Sequence, residues 1–206
     1  MEHEYEPRHQ CLIYGGAPSL KLTMLATIMR RKLAEGYRCL FLNSAPMVAG
    51  MRSTLAAAGV DVSSELTTSR LVMSSEAVSQ SKAFSSEEML EELEKAVDQA
   101  LRDGYKGLWA SGDMTWEFGP EKNFSKLLDY EFGLEQLFRR KPALCGVCQY
   151  HMDTLPQEVV RQGLLVHPSL VISATITRIN PHYLMSAWPV DEKTRQTLDE
   201  IIDSLR

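Results

Sequence analysis

The chain of 206 residues is a little longer than one average domain of ~150 residues, and its 44% hydrophobic content supplies a core without disulfide or metal staples. Its 22 basic and 27 acidic side chains leave a net charge of −5, which removes the attraction that dominates nucleic-acid affinity, so no direct nucleic-acid partner is expected. The composition excludes disordered and collagen-like chains, and four cysteines in apolar runs are too sparse for a disulfide framework. The first ten residues lack an apolar leader core and no run of ~18 apolar residues occurs, so a cytoplasmic protein with no membrane partner is expected.

Residues 1–8 are charged and read as a flexible N-terminus, followed by a single domain over 9–206. The run Cys11 to Tyr14 predicts the first strand, and the turn after it is the first candidate site. Gly15-Gly16-Ala17-Pro18-Ser19-Leu20-Lys21-Leu22 lies in register with the phosphate-binding pattern G-x-x-x-x-G-K-[ST] at Gly15 and Lys21. Leu20 stands where a second glycine should let the backbone curl around phosphate, and Leu22 where a hydroxyl should hold magnesium. Thr23 comes one residue late, ~100° round a helix, and Pro18 deletes an amide donor. Gly15, Gly16, Ser19 and Lys21 are therefore read as a degenerate phosphate loop.

Leu22, Leu25, Met29 and Leu33 then recur at helical spacing as far as Gly36, and strand-like runs follow at Arg38 to Leu42 and Arg70 to Met73. The serine-rich stretch from Ser74 to Ser86 predicts a long mobile loop. Ser85 and Glu88 make a capping box before the stripe Met89, Leu93, Ala96, Val97 and Ala100, which Gly104 ends. The run Gly107 to Ser111 leads to Asp113, placed as a metal-holding carboxylate would be at a strand tip, its plainer role being to cap the next turn; Trp116 adds an indole. Phe124, Leu127, Leu128, Leu134 and Phe138 mark a helix whose apolar face also carries Glu131. A carboxylate there must be paired, protonated or facing a cavity, with an arginine or a loop hydrogen bond as the plainer partner.

Cys145 and Cys148 lie inside the run Leu144 to Tyr150 rather than at a helix start, without a second cysteine pair or a close histidine pair. His9, His151, His167 and His182 are scattered, so no metal site and no cofactor is expected. Leu170 to Ile176 predicts the last strand, and Leu198, Ile201, Ile202 and Leu205 an amphipathic terminal helix. Continuous rather than alternating hydrophobicity predicts an α/β fold: a mostly parallel central sheet of at least five strands with helices on both faces. Ligands of such sheets bind outside the carboxyl ends of the strands. Tyr14, Asp113 and Tyr150 are expected on that edge, with Glu131 and Trp116 in one pocket there.

The segments His9 to Tyr14, Gly36 to Leu42, Gly59 to Val62, Gly104 to Leu108, Gly112 to Trp116, Tyr130-Glu131, Cys148 to Tyr150, His167-Pro168 and Asn180 to Tyr183 together resemble the DcmR-type sensory domain, called MEDS after methanogens and methylotrophs. The resemblance runs from about residue 9 to 183. It implies a RecA/KaiC-like fold, usually without an intact phosphate loop, in a prokaryotic signalling domain that senses small organic molecules such as hydrocarbon derivatives and is typically joined to histidine kinase or DNA-binding outputs. At His151 and His182 the chain departs from the family pattern, which more often has an aspartate and an aromatic. The chain carries neither kinase heptads nor a basic recognition helix, so it is expected to act through a protein partner such as a kinase or transcription regulator, or as a piece of a longer protein. The leading reading is thus a non-enzymatic sensor with a small organic ligand bound by Tyr14, Asp113, Trp116, Glu131 and Tyr150. The alternative is a nucleotide-binding switch or weak ATPase using Lys21 and Asp113.

Overall fold

The computed structural model describes residues 8–75, 85–117, 124–183 and 192–204. The stretches 1–7 and 76–84, where a flexible N-terminus and a mobile loop are expected, lie outside the described residues. The apolar runs form parallel strands: β1 (His9–Tyr14), β2 (Arg38–Leu42), β3 (Leu71–Ser74), β4 (Leu108–Asp113) and β5 (Leu144–His151). With β6 (Ser169–Val171) and β7 (Thr177–Ile179) they make a seven-stranded sheet in the order β3-β2-β4-β5-β1-β6-β7. Among the described strands only β7 runs antiparallel.

The expected strand from Leu170 to Ile176 is corrected by β7. Strand β6 stops at Val171, and the Ser173 hydroxyl accepts the amides of Thr175 (3.3 Å) and Ile176 (3.1 Å). A serine bonding the backbone two and three residues on offers the chain a turn in place of a ladder, and the chain comes back along β6.

The helices divide between the two faces of the sheet. On one lie α1 (Leu22–Ala34), α2 (Ala45–Ala57) and α3 (Val62–Thr67), packed on Leu12, Tyr14, Cys39, Phe41, Trp109 and Val147. On the other lie α4 (Ser86–Arg102), α6 (Leu127–Arg140), α7 (Gln157–Val166) and α8 (Glu192–Ser204), packed on Cys11, Leu108, Leu144, Cys148 and Tyr150. A one-turn helix, α5 (Met114–Glu117), follows β4. Helix α1 gives way at Gly36, whose φ of 90° few other residues adopt without strain. Ser85 accepts the Glu88 amide at 3.3 Å, the expected cap of α4. No helix among the described residues is long and apolar enough to cross a membrane.

Candidate functional site

The register of the parallel strands brings the expected tips to one edge. Tyr14 lies opposite His151, and Asp113 opposite Gln149. Strand β5 runs between β1 and β4, so the Tyr14 hydroxyl reaches across it to donate to Asp113 Oδ2 at 3.4 Å. The other oxygen of Asp113 accepts the Thr115 amide at 2.8 Å, so Asp113 caps the turn that opens α5. Burial, and then the neighbouring Asp113 charge, push the Tyr14 phenol well up from its ordinary value. A cleft of about 250 Å³ at this edge is lined by Tyr14, Asn43, Asp113, Thr115 and His151. Asn43 is 2% exposed, and its Nδ2 has no hydrogen-bond partner among the described residues.

The loop after β1 is occupied by the chain itself. Gly16 N–H donates to Asp153 Oδ2 at 2.7 Å, and His151 Nε2 donates to the Gly16 carbonyl at 2.8 Å. A loop amide that could meet an anion thus meets a carboxylate of the same protein. Pro18–Lys21 form a short 3₁₀ turn, with Ser19 exposed, Lys21 half-buried and Leu20 71% exposed. Gly15 is held close, since a Cβ there would stand 3.3 Å from Asp153 Oδ2. The role of Asp153 is a contact between distant segments, and nothing in the local sequence marks it.

Glu131 sits elsewhere. It is 1% exposed, as its place on the apolar stripe predicts, but it faces the sheet from α6, on the face opposite Tyr14 and Asp113. Tyr150 shares its face and donates its hydroxyl to Glu131 Oε1. Glu131 Oε2 lies 3.5 Å from both His9 Nε2 and His167 Nε2, and 3.9 Å from Cys148 Sγ. The sheet therefore separates four of the five nominated residues into a Tyr14–Asp113 pair and a Tyr150–Glu131 pair. The side chain of Trp116 lies outside the described residues.

The arginine expected as the plain partner of Glu131 is found one turn on. Arg139 Nε donates to Glu135 Oε1 at 2.9 Å, the Tyr183 hydroxyl donates to the same oxygen at 2.7 Å, and Glu135 Oε2 takes His9 Nδ1–H at 2.9 Å. Burial would raise the Glu135 carboxyl, yet these donors hold it down at about 2. Burial likewise opposes the charged form of His9, but Glu131 and Glu135 raise its pKa nonetheless. Burial, and next the proximity of His9, lower His167 to about 4. His167 Nδ1–H donates to the Gly163 carbonyl at 2.7 Å, and His9 stacks on Phe138 with ring centroids 4.4 Å apart.

Beside this cluster, between the sheet and helices α4 and α6, is a cavity of about 240 Å³. Its walls include Leu40, Leu93, Ala96, Met114, Leu134 and Phe138, with Ser74 and Glu92 as polar groups. Cys148 and Phe138 belong both to the cavity wall and to the surroundings of His9.

Comparison with known proteins bears on this arrangement. The family described as MEDS, the methanogen/methylotroph DcmR sensory domain, matches residues 8–168. Among solved structures, the uncharacterized protein PH0321 from Pyrococcus horikoshii, solved in complex with an unknown peptide, superposes with a TM-score of 0.59 at 16% identity, over 80% of this chain and 77% of that one. The flagellar accessory protein FlaH from Methanocaldococcus jannaschii superposes with a TM-score of 0.52 at 12% identity, over 87% and 80%. No curated protein matches the sequence. At such identities the two structures establish the RecA/KaiC-like fold alone.

Proposed function

The chain belongs to the MEDS family of sensory domains, and on that premise we propose that it is a non-enzymatic receptor for a small, weakly polar organic molecule held between the sheet and helices α4 and α6. The cavity of about 240 Å³ carries the reading: its wall is mostly aliphatic and aromatic, and it exceeds the ~150 Å³ of an apolar cavity able to take benzene. Ser74 and Glu92 suit one polar group on the ligand, the usual division of labour in small-molecule sites. A ligand there presses on α4 and α6 at once, and the displacement of these helices is the signal handed to a protein partner such as a kinase or transcription regulator.

The edge cleft favours a second reading, a nucleotide-binding switch, because Asn43 Nδ2 and Thr115 Oγ1 are buried there without partners among the described residues. Against it stands Asp153, whose carboxylate holds the Gly16 amide that a phosphate would need. Thermal shift with a panel of small organic molecules, and separately with magnesium and ATP, distinguishes them. Ligand at ~100 times its dissociation constant stabilises by about 2.7 kcal/mol. The sensor reading expects an organic ligand to raise the melting temperature and Ala96→Leu, which fills the cavity, to abolish that rise. A rise with magnesium and ATP alone overturns it.

A further inference from the structure

His9, Glu131, Cys148 and His167 come from β1, α6, β5 and the turn between α7 and β6, and all four are buried. One ligand atom from each lies within 4.8 Å of all the others. The nitrogen–oxygen separations among them are too long for good hydrogen bonds, and the sulfur contacts are weak ones. His9 Nε2 and His167 Nε2 each lie 3.5 Å from Glu131 Oε2, while Cys148 Sγ lies 3.6 Å from His9 Nε2 and 3.9 Å from Glu131 Oε2. Nitrogen–oxygen hydrogen bonds fall at about 2.7–3.2 Å. Zinc bonds of ~2.0–2.2 Å to nitrogen or oxygen and ~2.3 Å to sulfur, set at the tetrahedral angle, space the ligand atoms about 3.4 Å apart, or about 3.6 Å where one is sulfur. Four of the six separations are close to the edges of that tetrahedron, and the other two lie within 4.8 Å.

The surrounding contacts aim the ligand atoms inward. A carbonyl only accepts, so the 2.7 Å bond to Gly163 places the hydrogen of His167 on Nδ1. A neutral ring then turns its Nε2 lone pair toward the Glu131 carboxylate, and this Nε2, in a residue 0% exposed, has no hydrogen-bond partner among the described residues. Two acceptors facing each other repel unless a cation lies between them. His9 gives its Nδ1–H to Glu135, so Nε2 is the ring nitrogen left to face the cluster. Tyr150 engages Glu131 Oε1 and leaves Oε2 to the cluster. Such outer partners fix the tautomer and direction of metal-binding histidines and carboxylates.

We propose that His9, Glu131, Cys148 and His167 form a closed four-coordinate site for a divalent transition metal, zinc foremost. Two imidazoles and a sulfur suit zinc over magnesium or calcium, which take oxygen ligands. His9 Nε2 and the Cys148 thiol give up their protons to solvent as the metal binds, and thiolate and carboxylate together neutralise the two positive charges. With four protein ligands no position is left open for a substrate, so the metal pins β1, β5, α6 and the start of β6 together rather than performing chemistry.

The test is to express the chain in medium supplemented with Zn²⁺ or Co²⁺, so that metal is present as it folds, and to measure bound metal after gel filtration. One equivalent is expected. The Co²⁺ protein should show the strong visible bands of a tetrahedral site and a thiolate-to-cobalt charge-transfer band. Cys148→Ser should remove the charge-transfer band, and His167→Gln should lower metal retention ~10-fold or more. Cys145→Ser, on the opposite face of the sheet, should leave the spectrum unchanged. If His167→Gln does not fold, the Cys148→Ser spectrum decides. A wild-type chain that emerges metal-free, or a cobalt spectrum that survives Cys148→Ser, overturns the proposal.

Discussion

Gly163 sets helix preference against packing, and the two predict opposite signs for Gly163→Ala. In the interior of α7, alanine should stabilise by about 1 kcal/mol over glycine. The structure places a Cβ at that position 2.7 Å from both Cε1 and Cζ of Tyr150. Ordinary contact begins at 3.4 Å, so the ring must retreat by about 0.7 Å. That ring is fully buried, and its hydroxyl is bonded to Glu131. Overpacking of this kind costs about 1–3 kcal/mol, and losing a hydrogen bond to a charged group costs about 1.5–3 kcal/mol where the ring swings away. Set against the helix gain, the net expectation is a destabilisation of about 2 kcal/mol. For a chain of this length that lowers the melting temperature by roughly 4–8 °C. Urea and thermal unfolding of Gly163→Ala measure it, and repeating the substitution in a Tyr150→Leu background removes the clash, so alanine should there become neutral or stabilising. Equal stabilisation in both backgrounds would falsify the packing argument.

Three further outcomes are expected. Wild-type protein should turn over no ATP; magnesium-dependent hydrolysis lost in Lys21→Ala would count against the occupied loop. Asp153→Ala frees the Gly16 amide, so inorganic phosphate, titrated calorimetrically, should bind the variant more tightly than the wild type, and equal or weaker binding contradicts the idea that Asp153 fills an anion's place. Arg161 joins α7 to α8 through two bonds to Asp199, at 2.5 and 2.7 Å. Its replacement by alanine should cost about 1 kcal/mol or less, and speed proteolysis of α8. The pairing lowers the Asp199 pKa, so its contribution is full above the unfolded carboxyl value and is lost as pH falls through the folded one. A variant whose pH–stability curve matches wild type through that acid range removes the pairing as its source.

Periodicity made strands β1 to β5 and the helices α1, α4, α6 and α8 readable, because each has a strong apolar run or stripe; Gly36 closes α1, and Ser85 and Gly104 bound α4. Helix α2 was not, since Val48 and Ala49 lie between its buried residues Met47, Met51 and Leu55 and Gly50 interrupts them, blurring the contrast between faces. At Gly50 a Cβ would meet Leu22 Cδ1 at 2.7 Å, so the glycine that obscures the pattern is where α1 and α2 approach closely. The break at Ser173 was missed because a hydroxyl bonding its own backbone leaves no trace in hydrophobic period.

The strand tips were gathered correctly to one edge, yet they do not make one site, and pleat explains why. Successive residues of a strand point to opposite faces, so a shared edge is only half of a position. Tyr14 pairs with His151, not Tyr150, which puts Tyr14 and Tyr150 on opposite faces. The same parity settles Cys145 and Cys148. Three residues apart in a strand, they face opposite sides, Cys145 toward Trp109 and Val147, Cys148 toward Glu131, so they cannot chelate together. Cys148 has partners of its own, on the face away from Cys145. Those partners, His9 and His167, are 139 and 19 residues away in sequence, and each sits beside β5 only because β1 pairs with β5 on one side and β6 on the other. A cluster assembled by strand order carries no local spacing to read; it becomes visible once order and parity are both fixed.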